Sequence, residues 1–267
     1  MRRCCGRGLA GPPFVTVDDT GARHAGKSCF TTQIGSDRFT AFRTGPVHVT
    51  SQKGGASALG LQRVLGLGSY RTAWNLLRRA MVRPGRDRLQ GVVKVDEIFI
   101  GGPRSGKRGR GAQGKVLVVI AAQQAAKGIG RIRLMRVADA SASSLEPAIA
   151  AAIELGSQVR TDDWRGYSGL DRLGYRRQIA RSSAEVGENL LPLANRVASL
   201  LKRWLLGTHQ GAVSAAHLDY YLDEYTFRFN RRTSGSRGLL FLRLMQQAVD
   251  LNPVPAKELL GGSRDSK

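Results

Sequence analysis

A pair of carboxylates inside an apolar run constrains this chain more than any other feature. Val92-Val93-Lys94-Val95-Asp96-Glu97-Ile98-Phe99-Ile100 is rich in β-branched residues and reads as a strand. Successive strand residues point to opposite faces, so Asp96 and Glu97 face opposite sides of their sheet. A carboxylate in Val-rich surroundings is costly unless something offsets its charge, and a metal ion is a common partner.

The segments that follow supply the rest of a sheet. Lys115 to Ala122 reads as a second, Val-rich strand. Ile129 to Val137 sets Arg131, Arg133 and Arg136 against Ile132, Leu134 and Val137, the pattern of an amphipathic strand. Ser143, with Glu146 three residues on, predicts a capped helix start, and Gly156 its end. Gln158 to Thr161 is a short strand running into Asp162-Asp163-Trp164, and Tyr175 to Ala180 a further one. Leu193 to Leu206, Ser214 to Arg228 and Leu239 to Leu251 read as helices. Strands interleaved with helices predict an α/β domain over residues 91–250, followed by a tail, 251–267. Ahead of it, residues 51–90 hold two helices around Gly66-Leu67-Gly68-Ser69. The second helix carries Arg71, Arg78 and Arg79. This spacing fits a DNA-binding helix-turn-helix and also an ordinary helical hairpin. Residues 1–50 keep neither period and are expected to be weakly ordered.

Charge narrows the partners. The 267 residues include 42 Lys or Arg and 20 Asp or Glu, a net charge of +22. The excess is positive along the whole chain, which points to a polyanion that touches several parts of the protein, DNA above all. With 42% hydrophobic residues the chain can bury a core. Its longest strongly apolar stretch, Val116 to Ala126, falls well short of the ~20 residues of a membrane helix. No apolar block follows Arg2 and Arg3, so no secretory signal is expected. Cys4, Cys5 and Cys29 are too few and too irregular for a disulfide framework or a zinc site, and they fit a reducing cytoplasm.

Two glycine patterns do not survive their context. Gly109-x-Gly111-x-x-Gly114 needs a helix after it to bind a dinucleotide, and a strand follows. Gly114-Lys115 would end a phosphate loop only if Ser or Thr came next, and Val116 does. Pro103 to Gly114 reads better as a loop whose Arg104, Lys107, Arg108 and Arg110 grip DNA backbone. Asp96 and Asp162 are both strand-borne and could share a hard divalent cation, although salt bridges to the many arginines explain them about as well. On the helix 193–206, Ala194, Val197, Leu201 and Trp204 form the stripe to be buried. Asn195, Ser199 and Lys202 lie opposite, with Asn195 and Lys202 stacked two turns apart. An oxygen ligand with a cation beyond it fits a metal-bound phosphate, and a solvated polar face fits equally.

Four ordered blocks resemble a DDE transposase of bacterial insertion sequences, of the subgroup with a zinc ribbon and helix-turn-helix in front. They are Val95 to Gly102, Thr161-Asp162-Asp163-Trp164-Arg165-Gly166-Tyr167, Val197 to His209, and Glu224 to Arg232. The resemblance runs from about residue 54 to 250 and implies an RNase H-like catalytic fold, a mixed sheet flanked by helices. It places the catalytic, metal-holding positions on Asp96, Asp162 and Asn195, and a basic catalytic residue on Lys202, with Arg203 beside it for DNA. It implies two Mg²⁺ ions, replaceable by Mn²⁺, as cofactor. It implies the element's terminal repeats and target DNA as partners, no small-molecule substrate, and assembly as a homo-oligomer. The chain departs from the family in three places. Asp163 stands where Gly is more usual, Asn195 is neutral, and the zinc-ribbon cysteine pairs are missing. The expected activity is cleavage and strand transfer of insertion-sequence ends. The alternative is a transposase-derived DNA-binding protein without catalysis.

Overall fold

The computed structural model describes residues 16–24, 27–35, 40–45, 80–82, 85–101, 115–180, 191–209 and 217–235, and five positions between 240 and 247. Thr16–His24 (β1), Lys27–Gly35 (β2) and Thr40–Gly45 (β3) form an antiparallel sheet in the order β1-β2-β3. The sequence reading finds neither a helix nor a strand period there. These segments are rich in Thr, which favours extended backbone, but lack the regular apolar alternation that marks a half-buried strand. The helix-turn-helix segment with Arg71, Arg78 and Arg79 lies outside the described residues. So do the loop with Arg104, Lys107, Arg108 and Arg110, and the C-terminal tail.

The second sheet has five strands: Val92–Ile100 (β4), Val116–Ala125 (β5), Gly128–Val137 (β6), Gln158–Thr161 (β7) and Arg176–Ile179 (β8). Their order is β6-β5-β4-β7-β8. The first three pair antiparallel, as a meander allows. β7 pairs parallel to β4, and β8 parallel to β7. A parallel neighbour needs a crossover, which Ala142–Ala152 (α1) supplies between β6 and β7. Pro192–His209 (α2) and Leu218–Asn230 (α3) follow β8.

Helices cover both faces of this sheet. On one, Ile98, Ile100, Val118, Ile120, Ala122, Ile132 and Leu134 pack against Ala194, Val197, Leu201 and Leu205 of α2 and Leu218, Leu222 and Tyr225 of α3. On the other, Val93, Val95, Val119 and Ala121 pack against Leu145, Ile149 and Ala152 of α1, and Tyr167, Leu170 and Tyr175 join them. Each fully buried aliphatic side chain contributes about 1.5–3 kcal/mol. β5 is buried on both faces, which is why its sequence is a continuous apolar run.

Three details depart from the sequence reading. The cap of α1 is Ser141, not Ser143, and its side chain makes no cap bond because its hydroxyl is taken by Asp139. α3 starts at Leu218, behind His217. Arg133 is buried, so β6 does not alternate cleanly. Its Nη1 donates to Ile132 O at 3.0 Å and its Nη2 to Asp87 O at 2.5 Å, which makes the burial tolerable.

β6 is an edge strand, and α3 closes it. Asn230 Oδ1 accepts from Ile132 N at 2.7 Å, and Asn230 Nδ2 donates to Ile132 O at 3.1 Å. The side-chain amide thus does what a further strand would do. Arg232 adds bonds to the Gly130 and Ile129 carbonyls. Asn230→Ala strands both backbone groups of Ile132, and urea unfolding is expected to show a loss of about 1–3 kcal/mol. A loss within the scatter of surface substitutions would show that water replaces the amide.

Candidate active site

β4 and β7 run side by side, with Val92 opposite Gln158, Val93 opposite Val159 and Lys94 opposite Arg160. Continued by two residues, this register brings Asp96 level with Asp162 on the same face. The same parity puts Asp96 on the side of Ile98 and Ile100, the face that α2 and α3 cover. Asp96 is half-buried, and its Oδ1 accepts from Glu97 N at 2.9 Å. Asp162, just past the end of β7, is half-buried too. Its Oδ1 accepts from Trp164 N at 3.2 Å, an Asx turn that reverses the chain. Asp163 is exposed and points toward Arg177 Nη2, 4.0 Å away.

The turn that carries Asp162 is held from three sides. From β8, Arg177 Nη2 donates to Asp162 O at 3.2 Å and Trp164 O at 3.4 Å, and its Nε donates to Thr161 Oγ1 at 3.2 Å. The Trp164 indole N–H donates to Ala140 O at 2.6 Å, just ahead of α1. Then Arg165–Tyr167 winds as a 3₁₀ turn that lays Tyr167 against β4. The Tyr167 hydroxyl donates to Glu97 Oε2 at 2.5 Å, on the opposite face of β4 from Asp96. Only glycine fits at 166, because a Cβ there would run into Ala140 O, Leu145 and the Trp164 indole.

Tyr167 also reports where the carboxylates are. Burial pushes its hydroxyl far above the ordinary tyrosine range. Glu97 adds to that through its charge and hydrogen bond, and the charges of Asp162 and Asp96 add further. Three acidic groups thus act on one buried phenol. Sequence reasoning singles out neither Tyr167 nor Arg177. The signal was Tyr167 closing the Thr161–Tyr167 block, five residues after Asp162.

Asn195 lies in the first turn of α2, half-buried, and its N–H donates to Leu191 O at 3.0 Å. Ala194, Val197 and Leu201 are buried as the stripe requires, whereas Trp204 is half-buried beside Tyr225, with ring centroids 5.4 Å apart. Lys202 and Arg203 are exposed. The helix that bears Asn195 therefore packs over the face that bears Asp96. Among the described residues, no three of His, Cys, Asp or Glu cluster as a metal site would require. The candidate positions are two carboxylates, Asp96 and Asp162, and an amide, Asn195.

Residues 88–230, more than half of the chain, match the sequence profile of the ISXO2-like transposase domain. The chain belongs to the ISXO2-like transposase family. The match takes in every strand of the five-stranded sheet, all three helices, and Asp96, Asp162, Asn195 and Lys202. The transposase domain is an α/β fold, a mixed sheet with helices on both faces. Among curated proteins, an uncharacterized protein, y4jO, of Sinorhizobium fredii (strain NBRC 101917 / NGR234) is 52% identical over 63 residues. That alignment covers 24% of this chain and 17% of the relative. Among solved structures, the HTLV-2 integrase catalytic core domain in complex with magnesium (trimeric form) is 12% identical, over 57% of this chain and 97% of that one, with a TM-score of 0.35. A simian T-cell lymphotropic virus intasome in complex with the PP2A regulatory subunit B56 gamma is 15% identical, over 74% and 77%, also with a TM-score of 0.35. Among the described residues no helix is long and apolar enough to cross a membrane.

Because the folded state keeps Tyr167 protonated, its contribution is full below the tyrosine pKa of the unfolded chain, about 10. It is lost as pH rises above that value, where only the unfolded chain ionises. Tyr167→Phe is expected to flatten the fall in stability above pH ~10. It should also lower stability near neutrality by about 1–3 kcal/mol, since Glu97 loses its donor. Unfolding curves of both proteins from pH 7 upward check this. Parallel curves would place the hydroxyl in water.

Proposed function

We propose that this chain is a transposase that binds the ends of its own insertion element, cuts them, and joins the 3′ ends to target DNA. The observation that supports this reading is the register of β4 against β7 within the transposase domain, which pairs Lys94 with Arg160, two residues before Asp96 and Asp162 on their respective segments. Two carboxylates and the Asn195 carbonyl form an all-oxygen donor set, which suits Mg²⁺ and also admits Mn²⁺. Bound there, Mg²⁺ supplies charge stabilisation at the scissile phosphate and a more acidic attacking hydroxyl.

The chain's own groups do the rest. Asp96, on β4, and Asp162, in the braced turn just past β7, would hold the cation. Asn195 offers a neutral oxygen, so it would hold a second cation more weakly than Glu would. Lys202 and Arg203, exposed on α2, meet DNA phosphates beside the cut. The net charge of +22 draws DNA in before any specific contact forms. Arg71, Arg78 and Arg79 would read the terminal repeats. Arg104, Lys107, Arg108 and Arg110 would hold backbone near the cut. Two ends must be brought together, so a homo-oligomer is the working unit.

The neutral Asn195 favours a second reading, a DNA-binding protein that has lost catalysis. Cleavage and strand transfer on DNA carrying the gene's flanking ends, with Mg²⁺ or Mn²⁺, separates the two. The transposase reading expects activity that falls more than about 100-fold in Asp96→Ala, and equal or higher activity in Asn195→Glu. Cleavage untouched by Asp96→Ala contradicts it. Specific end binding with no cleavage in the parent or in Asn195→Glu supports the binding protein.

A further inference from the structure

β4 changes its buried face at the acidic pair. Before it, Val93 and Val95 are buried on the α1 side; after it, Ile98 and Ile100 are buried under α2 and α3. On the α2–α3 side this leaves Lys94 and Asp96 half-buried. The register extends that open strip onto the neighbouring strands. Arg160 and Gln158 on β7 are half-buried, and Arg176 and Gln178 on β8 are exposed. The strip thus holds three cations and two amides, and it ends at Asp96 and Asp162.

Lys94 and Arg160 are direct partners across the two strands. Like charges set opposite each other destabilise a sheet. Neither has a carboxylate partner among the described residues. Arg160 is steered rather than neutralised. Its Nε donates to Gln178 Oε1 at 2.7 Å, and the same oxygen accepts from Gln158 Nε2 at 2.5 Å. That leaves the two Nη groups for another acceptor. A cation pair kept at this cost suits an anion that arrives from outside.

We propose that Lys94 and Arg160 together bind the DNA phosphate next to the one cut at Asp96 and Asp162. This rests on the transposase reading above and adds a subsite to it. The cation row lies two residues from the carboxylate row on both strands, ~6.6 Å, which is the scale of one nucleotide step. The carboxylates take the scissile phosphate through a cation; Lys94 and Arg160 take its neighbour directly. Arg176, farther along the strip, continues the track, so the ligand is a polymer rather than a free phosphate.

The test uses the full chain and duplexes of the element's own ends. In each duplex one phosphate is replaced by an uncharged methylphosphonate, scanned over about five positions on either side of the cut. Kd and cleavage rate are measured for the parent and for the Lys94→Gln/Arg160→Gln double variant. At the position next to the cut, the parent is expected to lose about 10-fold in affinity and the double variant less than about 2-fold. The double variant should also lower the salt slope of binding by about one to two. Removing a like-charge pair should leave its melting temperature at or above the parent's, so a binding loss is not an unfolding loss. Lys94→Arg should keep the parent's pattern. Equal losses in parent and double variant at every position, or an unchanged salt slope, overturn the proposal. Because Kd needs no cutting, a chain that binds ends without cleaving them still reports on the subsite. In that case the catalytic reading falls and this one is judged separately.

Discussion

The candidate site depends on the parallel pairing of β4 with β7. Asp96 lies on the first strand of the sheet and Asp162 just past the end of a strand more than sixty residues later, and this pairing is what aligns the two segments. A slip of one residue would send Asp162 to the opposite face. Val93, Val95 and Val159 prevent it, because all three are fully buried against α1 and its neighbours and would be expelled by the slip. The register that aligns the candidate site is thus set by an apolar core on the far side of the sheet.

Register alone does not aim a side chain that lies just past the end of a strand. The turn after β7 is fixed by bonds to three separate elements: Arg177 of β8, Glu97 of β4 through Tyr167, and Ala140 ahead of α1 through Trp164. Bonds involving a charged group contribute about 1.5–3 kcal/mol each, and neutral ones about 0.5–1.5. Together they outweigh the freedom of a short turn. Glu97 therefore has work of its own: the two carboxylates in the middle of β4 divide between its faces, Asp96 facing α2 and Glu97 taking the Tyr167 hydroxyl. The alternation of buried residues flips at this pair, so the strand serves one core before it and the other after it.

Much of the transposase domain was legible in the sequence. β4 and β7 follow from their patterns residue for residue, since a β-branched run bounded by polar residues has few alternatives. The stripe Ala194, Val197 and Leu201 gave α2 its buried face. Other features were hidden for physical reasons. The start of α1 depends on a competition for the Ser141 hydroxyl that spacing rules do not see. Buried Arg133 looks like a surface residue until the carbonyls it meets are known. Arg177 and Tyr167 hold the site through contacts made in space. Lys94 and Arg160 lie far apart in the chain and become a pair only through the register. Strands β1 to β3 lack the apolar alternation on which sequence reasoning relies.

In the proposed function Asp96 and Asp162, rather than Asp163, would form one cation site. Mn²⁺ binding followed by electron paramagnetic resonance on the DNA-free protein tests it without requiring turnover. Asp96→Asn and Asp162→Asn should each weaken binding by about 10-fold or more, while Asp163→Asn leaves it unchanged. A loss in Asp163→Asn equal to that in Asp162→Asn, or no loss in either strand aspartate, would contradict the account.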